Sequence, residues 1–325
     1  MTDLYPWLAP PRRALAEQLG QDRMPHALLI TGHPGMGKLE LARHLAGMLL
    51  CRERAPDGRP CGQCPACVQL AAGSHPDFLQ VQPEEDATAI KVDQVRALSE
   101  ALSLCAHGQG FKVAIVSPAE KMNINAANSL LKTLEEPSDN TVLVLVSDQP
   151  ARLPATIRSR CQMLRIHAPD RTLALDWLST RLEDRQQAET CLQLAAGAPL
   201  AALHLATEGV LETRHERLGQ LVDLLDGRAT VPDVAQAWSK DEQLQGIHWL
   251  RGWLMDMLRI RMTGQTQGVR NIDQADVLSG LARKLDSRIM FGQLDRVNRV
   301  LGSGAASLNR QLMTEDVLIA WTARQ

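Results

Sequence analysis

Aromatic residues are scarce: they make up 3% of the chain, with one Tyr, three Phe and six Trp among 325 residues. Cores must therefore be filled mainly by Leu, Ala, Val and Ile. An excess of charge is also missing, since 35 basic residues meet 37 acidic ones. A protein that grips nucleic acid alone usually carries a strong basic surplus. Any DNA contact here is expected to be local or shared with partners. No uninterrupted apolar stretch approaches the roughly 18 residues of a membrane span. Met1 to Trp7 shows no basic segment leading into an apolar run, so no signal peptide and no membrane association are expected. Four of the seven cysteines lie between Cys51 and Cys67, while Cys105, Cys161 and Cys191 are scattered. An odd count without a secretory leader fits reduced thiols and the cytoplasm.

What is present is ordinary globular composition, 45% hydrophobic and 22% charged, in a chain long enough for two or three domains. Up to about His167, short apolar runs alternate with helical patterns. Strands are expected at Ala27–Ile30, Phe78–Val81, Val113–Val116, Val142–Val146 and Met163–Ile166. Helices are expected at Leu39–Leu50, Val92–Cys105 and Asn125–Glu136, the last stopped by Pro137. That alternation predicts a parallel α/β sheet. After Pro169 the pattern is helical only. Leu173–Leu182, Ala188–Ala195 and Pro199–Thr207 predict a small helical unit. Leu211–Leu225, Asp241–Met262, Ile272–Leu285, Ile289–Leu301 and Asn309–Trp321 predict a larger one, punctuated by loops at Gly264–Gly268 and Gly302–Gly304. The Trp residues, including Trp238, Trp249, Trp253 and Trp321, read as helix-packing residues.

Gly32-His33-Pro34-Gly35-Met36-Gly37-Lys38 fits the phosphate-loop pattern G-x-x-x-x-G-K between a strand and a helix. Its glycines let backbone N–H groups approach phosphates at a helix N-terminus. The next residue should be a Ser or Thr that binds Mg²⁺, and it is Leu39. A hydrolytic protein of this kind also carries an acidic residue at the end of a neighbouring strand. The expected strand ends instead in Ser117-Pro118, and Glu120 beyond it reads as a solvated or capping residue. With two magnesium contacts missing, the loop is expected to bind anions weakly at most, and ATP hydrolysis is not expected.

Cys51, Cys61, Cys64 and Cys67 form C-x9-C-x2-C-x2-C. This spacing matches a closed, tetrahedral, all-cysteine structural zinc site, one ion per chain. Redox or disulfide use is the competing reading. His75 is read as a turn residue rather than a ligand. Arg52, Arg54 and Arg59 either offset the thiolate charge or are plain surface residues.

The phosphate loop, Asn128-Ser129-Leu130-Leu131-Lys132-Thr133-Leu134-Glu135-Glu136-Pro137 and Leu153-Pro154-Ala155-Thr156-Ile157-Arg158-Ser159-Arg160-Cys161 together resemble the clamp-loader branch of the AAA+ ATPases. The cysteine quartet resembles that of bacterial clamp-loader subunits. The likeness is dense over residues 1–167 and thin beyond them. It implies an AAA+ α/β domain (1–167), a small helical lid (168–208) and an all-α collar used in oligomerisation (209–325). In that family the Arg of Ser-Arg-Cys is an arginine finger reaching the γ-phosphate of ATP held by a neighbour. Arg160 occupies the position, with Arg158 as the nearby competitor. A guanidinium suits the task because it stays charged and forks onto phosphate oxygens. Active members also carry a nucleotide-sensing Arg after the sheet, where this chain has Leu200. The resemblance therefore implies a non-catalytic subunit of the DNA polymerase III clamp loader. Its partners would be the gamma/tau and delta subunits, the sliding clamp and primer-template DNA.

Asn123 and Asn125, at the start of a helix that lines the DNA channel in such loaders, are candidate DNA contacts; a helix cap is the equally good ordinary reading. Two rivals stand beside this picture. One is an ATP-hydrolysing gamma/tau-type subunit, which keeps Lys38 in its favour. The other is a zinc-bearing DNA-binding module unrelated to clamps, which the acidic balance disfavours.

Overall fold

The computed structural model of the chain describes residues 4–55, 57–85, 87–103, 110–240, 244–302 and 309–322. Cys105, Asp241 and Gly304, which the sequence reading placed in or beside elements, lie outside the described residues. Two compact units are formed, one by residues 1–177 with 198–201 and the other by 178–197 with 202–325.

The first unit is built on a parallel five-stranded sheet ordered β2-β3-β4-β1-β5. The strands are β1 (Ala27–Thr31), β2 (Phe78–Val81), β3 (Lys112–Val116), β4 (Thr141–Ser147) and β5 (Gln162–Arg165). Every residue of β1, β3 and β4 is buried, whereas β2 and β5 are only partly covered. Central strands of a sheet covered on both faces read as continuous apolar runs, and edge strands do not. Along the chain the strands are separated by α1 (Ala9–Gly20), α2 (Lys38–Leu50), α3 (Pro65–Ala71), α4 (Val92–Ser103), α5 (Ile124–Glu135) and α6 (Ala155–Arg158), with α1 preceding β1. Leu29, Ala114 and Leu143 of the sheet join Val95 and Leu98 of α4 and Leu130 and Leu134 of α5 in one apolar core. β1 runs beside β4 with Thr31 opposite Ser147, so the residues after both strands leave the sheet together at its C-terminal edge. All five expected strands are present within one residue at each end. Helix α1 was missed because Pro10 and Pro11 in its first turn look like a loop; proline is tolerated there because the first N–H groups need no intrahelical acceptor.

Helices α7 (Arg171–Ser179), α8 (Arg185–Leu194) and α9 (Pro199–Thr207) follow the sheet. Then come α10 (Val210–Leu225), α11 (Val231–Ser239), α12 (Gln245–Thr263), α13 (Ala275–Lys284), α14 (Ser287–Gly302) and α15 (Arg310–Thr322). No strand occurs after Arg165 among the described residues. α11 was not anticipated, although its start is signed: Thr230 accepts from the Asp233 N–H as an N-cap. The expected helix Ile272–Leu285 divides into a 3-10 turn, Ile272–Gln274, and α13. Trp238, Trp253 and Trp321 are buried in the helical core. Their indole N–H groups donate to Gln220 (2.8 Å), Gln274 (2.7 Å) and the Leu221 carbonyl (3.3 Å), so these residues serve packing. Among the described residues no single helix is long and apolar enough to cross a membrane.

Candidate functional site

The phosphate loop links β1 to α2. Gly35 and Gly37 both adopt positive φ, 76° and 77°. A Cβ on Gly35 would lie 2.4 Å from the Ala201 amide nitrogen, and one on Gly37 2.7 Å from the Tyr5 ring. Only glycine fits either position. Leu200 donates its N–H to the Gly35 carbonyl at 3.1 Å. Leu200 thus reaches the loop through its backbone, and its side chain is aliphatic. Trp7 supports the loop from another side by donating to the Met36 carbonyl at 2.9 Å.

A cavity of about 260 Å³ lies in front of the loop, lined by Gly35, Gly37, Lys38, Ser117, Asp148 and Leu200 among others. Lys38 is 5% exposed. Its ammonium donates 2.6 Å to the His33 carbonyl and pairs at 2.5 Å with the Asp148 carboxylate. Asp148 directly follows β4, and its N–H donates to Glu120 at 3.1 Å. Glu120 is therefore neither solvated nor a cap: half-buried in a 3-10 turn, it props the residue that pairs with Lys38. Neither Asp148 nor this use of Glu120 was foreseen, because nothing local marks them. Leu39 and Ser117 also line this cavity.

The four cysteines converge. The Sγ atoms of Cys51, Cys61, Cys64 and Cys67 all lie within 4.8 Å of one another. Cys51 and Cys64 are 3.9 Å apart, and Cys61 and Cys67 4.0 Å. Four sulfurs around zinc at about 2.3 Å stand about 3.8 Å apart, so the set fits a tetrahedral ion. Backbone N–H groups of Cys61 and Cys64 donate to Cys51 and Cys61 sulfurs, both at 3.3 Å, as they do to thiolates. Burial pushes the Cys67 thiol up to about 12. Burial acts the same way on Cys64, but backbone N–H donation and hydrogen bonds from the Cys61 and Cys67 thiols together bring that thiol down to about 6. Packed thiols resist ionising together unless a cation shares their charge. His75 is outside the cluster; its Nδ1 accepts from the Asp77 N–H at 3.1 Å, as a turn residue does. Arg59 turns to Asp57 at 2.7 Å rather than to the sulfurs.

Arg160 sits between α6 and β5, its side chain 35% exposed, with Nη1 donating to the Thr156 carbonyl at 2.9 Å and Nη2 to Glu135. Arg158, at the end of α6, is half-buried as Arg160 is, and its Nε is buried without a hydrogen-bond partner. Asn123 caps α5 by accepting from the Ala126 N–H at 2.8 Å. Asn123, Ile124 and Asn125 are all exposed at that helix start. The structure brings Lys38 and the glycines into one site and the cysteines into another, separate from Arg160 and from the two asparagines.

A parallel sheet with a phosphate loop after β1 and a cluster of four cysteines after α2 define a phosphate-loop NTPase-type fold with a cysteine set that could hold a metal ion. The family described as "DNA polymerase III, delta subunit" matches residues 10–170, and "DNA polymerase III, delta subunit, C terminal" matches 208–323. The chain is 38% identical to a DNA polymerase III subunit delta' of Pseudomonas aeruginosa, over 99% of this chain and 98% of that one. It is 36% identical to the subunit delta' of Escherichia coli, over 97% and 94%. Over 46% of its length it is also 34% identical to 26% of a DNA polymerase III subunit tau of Bacillus subtilis. The chain belongs to the family of DNA polymerase III delta' subunits.

Proposed function

We propose that this protein is a non-catalytic subunit of the clamp loader, which helps place the sliding clamp on primed DNA and supplies Arg160 in trans to a neighbouring ATPase subunit. The observation that carries the reading is an asymmetry. At the chain's own phosphate loop, Leu39 and Ser117 replace the magnesium-binding groups and Lys38 is already paired with Asp148. Arg160, on a different element, is also paired, with Glu135, but its side chain stays 35% exposed where Lys38 is 5%, and a guanidinium has further N–H donors to offer. Parts that act on the chain's own nucleotide are lost, while the part that acts on a neighbour's is kept. Gamma/tau and delta subunits are the proposed partners, with the clamp and primer-template DNA.

The same reading assigns residues 1–167, 168–208 and 209–325 to an AAA+ domain, a lid and a collar, and places the protein in the cytoplasm. Cys51, Cys61, Cys64 and Cys67 would hold zinc, whose part is structural, since four thiolates leave no open coordination position. The α5 start, with Asn123 and Asn125, offers backbone N–H groups to a DNA phosphate without needing basic side chains.

The test uses the full chain and the reconstituted loader. The isolated chain is expected to show no ATP turnover above background and to co-elute with gamma/tau and delta on size exclusion. Robust turnover abolished by Lys38→Ala would establish the gamma/tau-type alternative instead.

A further inference from the structure

The phosphate loop of this chain is a closed ion-pair circuit. A phosphate-loop lysine ordinarily points at phosphate oxygens and works as a point charge. Here the ammonium, which has three donors, spends one on the His33 carbonyl at 2.6 Å and another on Asp148 Oδ1 at 2.5 Å. Asp148 is not a chance surface neighbour. Ser147 at the end of β4 is opposite Thr31 at the end of β1, so Asp148 emerges beside Gly32, the first residue of the loop. Its main-chain N–H is tied to Glu120 at 3.1 Å. Its carboxylate lines the same cavity as Gly35, Gly37 and Lys38.

We propose that Asp148 is a built-in anion that occupies the phosphate seat of Lys38, so that the loop is a latent, metal-independent polyphosphate site which the chain holds shut against itself. The inference rests on the reading of this loop as non-hydrolytic. An incoming polyphosphate must displace the carboxylate from Lys38 and then remain beside it, like charge against like charge. The glycine backbone and the buried ammonium, the two features that recognise phosphate, are intact. Leu39 provides no hydroxyl and Ser117 no carboxylate at the two positions that would hold magnesium, and of the carboxylates lining the cavity, Asp148 and Glu40, the first is taken up by Lys38; the ligand the site would take is a polyanion recognised through its phosphates.

The experiment is calorimetric titration of tripolyphosphate into the full-length, zinc-loaded chain, in magnesium-free buffer without chelator. The wild type is expected to bind no tighter than on the order of 1 mM. Asp148→Asn, which keeps the shape and removes the charge, is expected to bind at least about tenfold tighter. Asp148→Ser serves as a second charge deletion should the asparagine variant fold poorly. Adding Lys38→Met to either should return binding to the wild-type level. Running ATP beside tripolyphosphate separates a nucleotide from an inorganic chain as the occupant. Wild-type binding well below 1 mM, or folded Asp148 variants that bind no tighter than the wild type, would overturn the proposal. Either result would leave assembly and the absence of turnover untouched, and those are what test the loader reading.

Discussion

Arg160 and Glu135 are joined by a charge-assisted hydrogen bond from Nη2 of the guanidinium to the carboxylate at the last residue of α5. With the Thr156 carbonyl on Nη1, this sets the plane of the fork while leaving the side chain 35% exposed. For the finger role proposed above, a guanidinium held in this way would lose less rotamer freedom on meeting a phosphate.

Arg160→Ala should leave the chain folded and assembled but slow hydrolysis at one neighbouring site. Arginine fingers contribute on the order of 10³–10⁵ in rate at their own site. The whole loader should lose less, because its other sites would receive fingers from other subunits. Lysine should rescue poorly, since it keeps the charge and loses the planar fork. The readout is clamp- and DNA-stimulated ATPase of the reconstituted loader, beside size exclusion. Unchanged hydrolysis and loading by a normally assembled alanine variant would remove Arg160 from the mechanism.

Elemental analysis should find one zinc per chain. Cys64→Ser should release it and lower the thermal midpoint of the first unit, because structural zinc binding is coupled to folding. Metal-free protein after purification under reducing conditions without chelator would sink the zinc reading.

In the helical unit Arg214 is 2% exposed and donates at 2.5 Å to both Asp273 and Asn271. Asn271 in turn donates to Asp256 from its N–H at 2.8 Å and its Nδ2 at 2.6 Å. Arg214→Ala removes the buried guanidinium and leaves the buried Asn271 amide oxygen short of a donor, while Asp273, 22% exposed, can turn to water. It should cost about 1–3 kcal/mol by urea unfolding. A loss below about 1 kcal/mol would mean that water or a relaxed backbone takes over the pairing.

His44, on α2, is buried with no partner for Nε2. Burial, helped by Arg12 and Arg59, brings its pKa down to about 4 from 6.5. The unfolded chain then binds more protons than the folded one between those values. The stabilisation is complete above about pH 6.5 and is lost as the pH falls towards 4. His44→Gln should reduce the stability lost between pH 7.5 and pH 5 by about 1–2 kcal/mol, measured with zinc in slight excess. An identical pH slope for both proteins would show that His44 is not the titrating group.

Much of the fold was legible before any coordinates, because it is written in local periodicity. Val142–Val146 is a continuous apolar run typical of a strand buried on both faces, and β4 is buried along its whole length. The glycine pattern before Lys38 and the cysteine spacings are likewise short-range signals, and the structure brings the four sulfurs together as expected. α11 was hidden behind an unread cap at Thr230, and α1 behind its prolines.

By itself the sequence determined the strand–helix alternation, the phosphate loop with its missing magnesium groups and the cysteine cluster, since each depends on residues close together in the chain. Only the tertiary structure decided that Asp148 meets Lys38, that Glu120 holds Asp148, that the Leu200 N–H reaches Gly35 and that Arg160 leans on Glu135. These contacts follow from which strand lies beside which and in what register. Register is set by the summed packing of whole faces, so no short window of residues carries it.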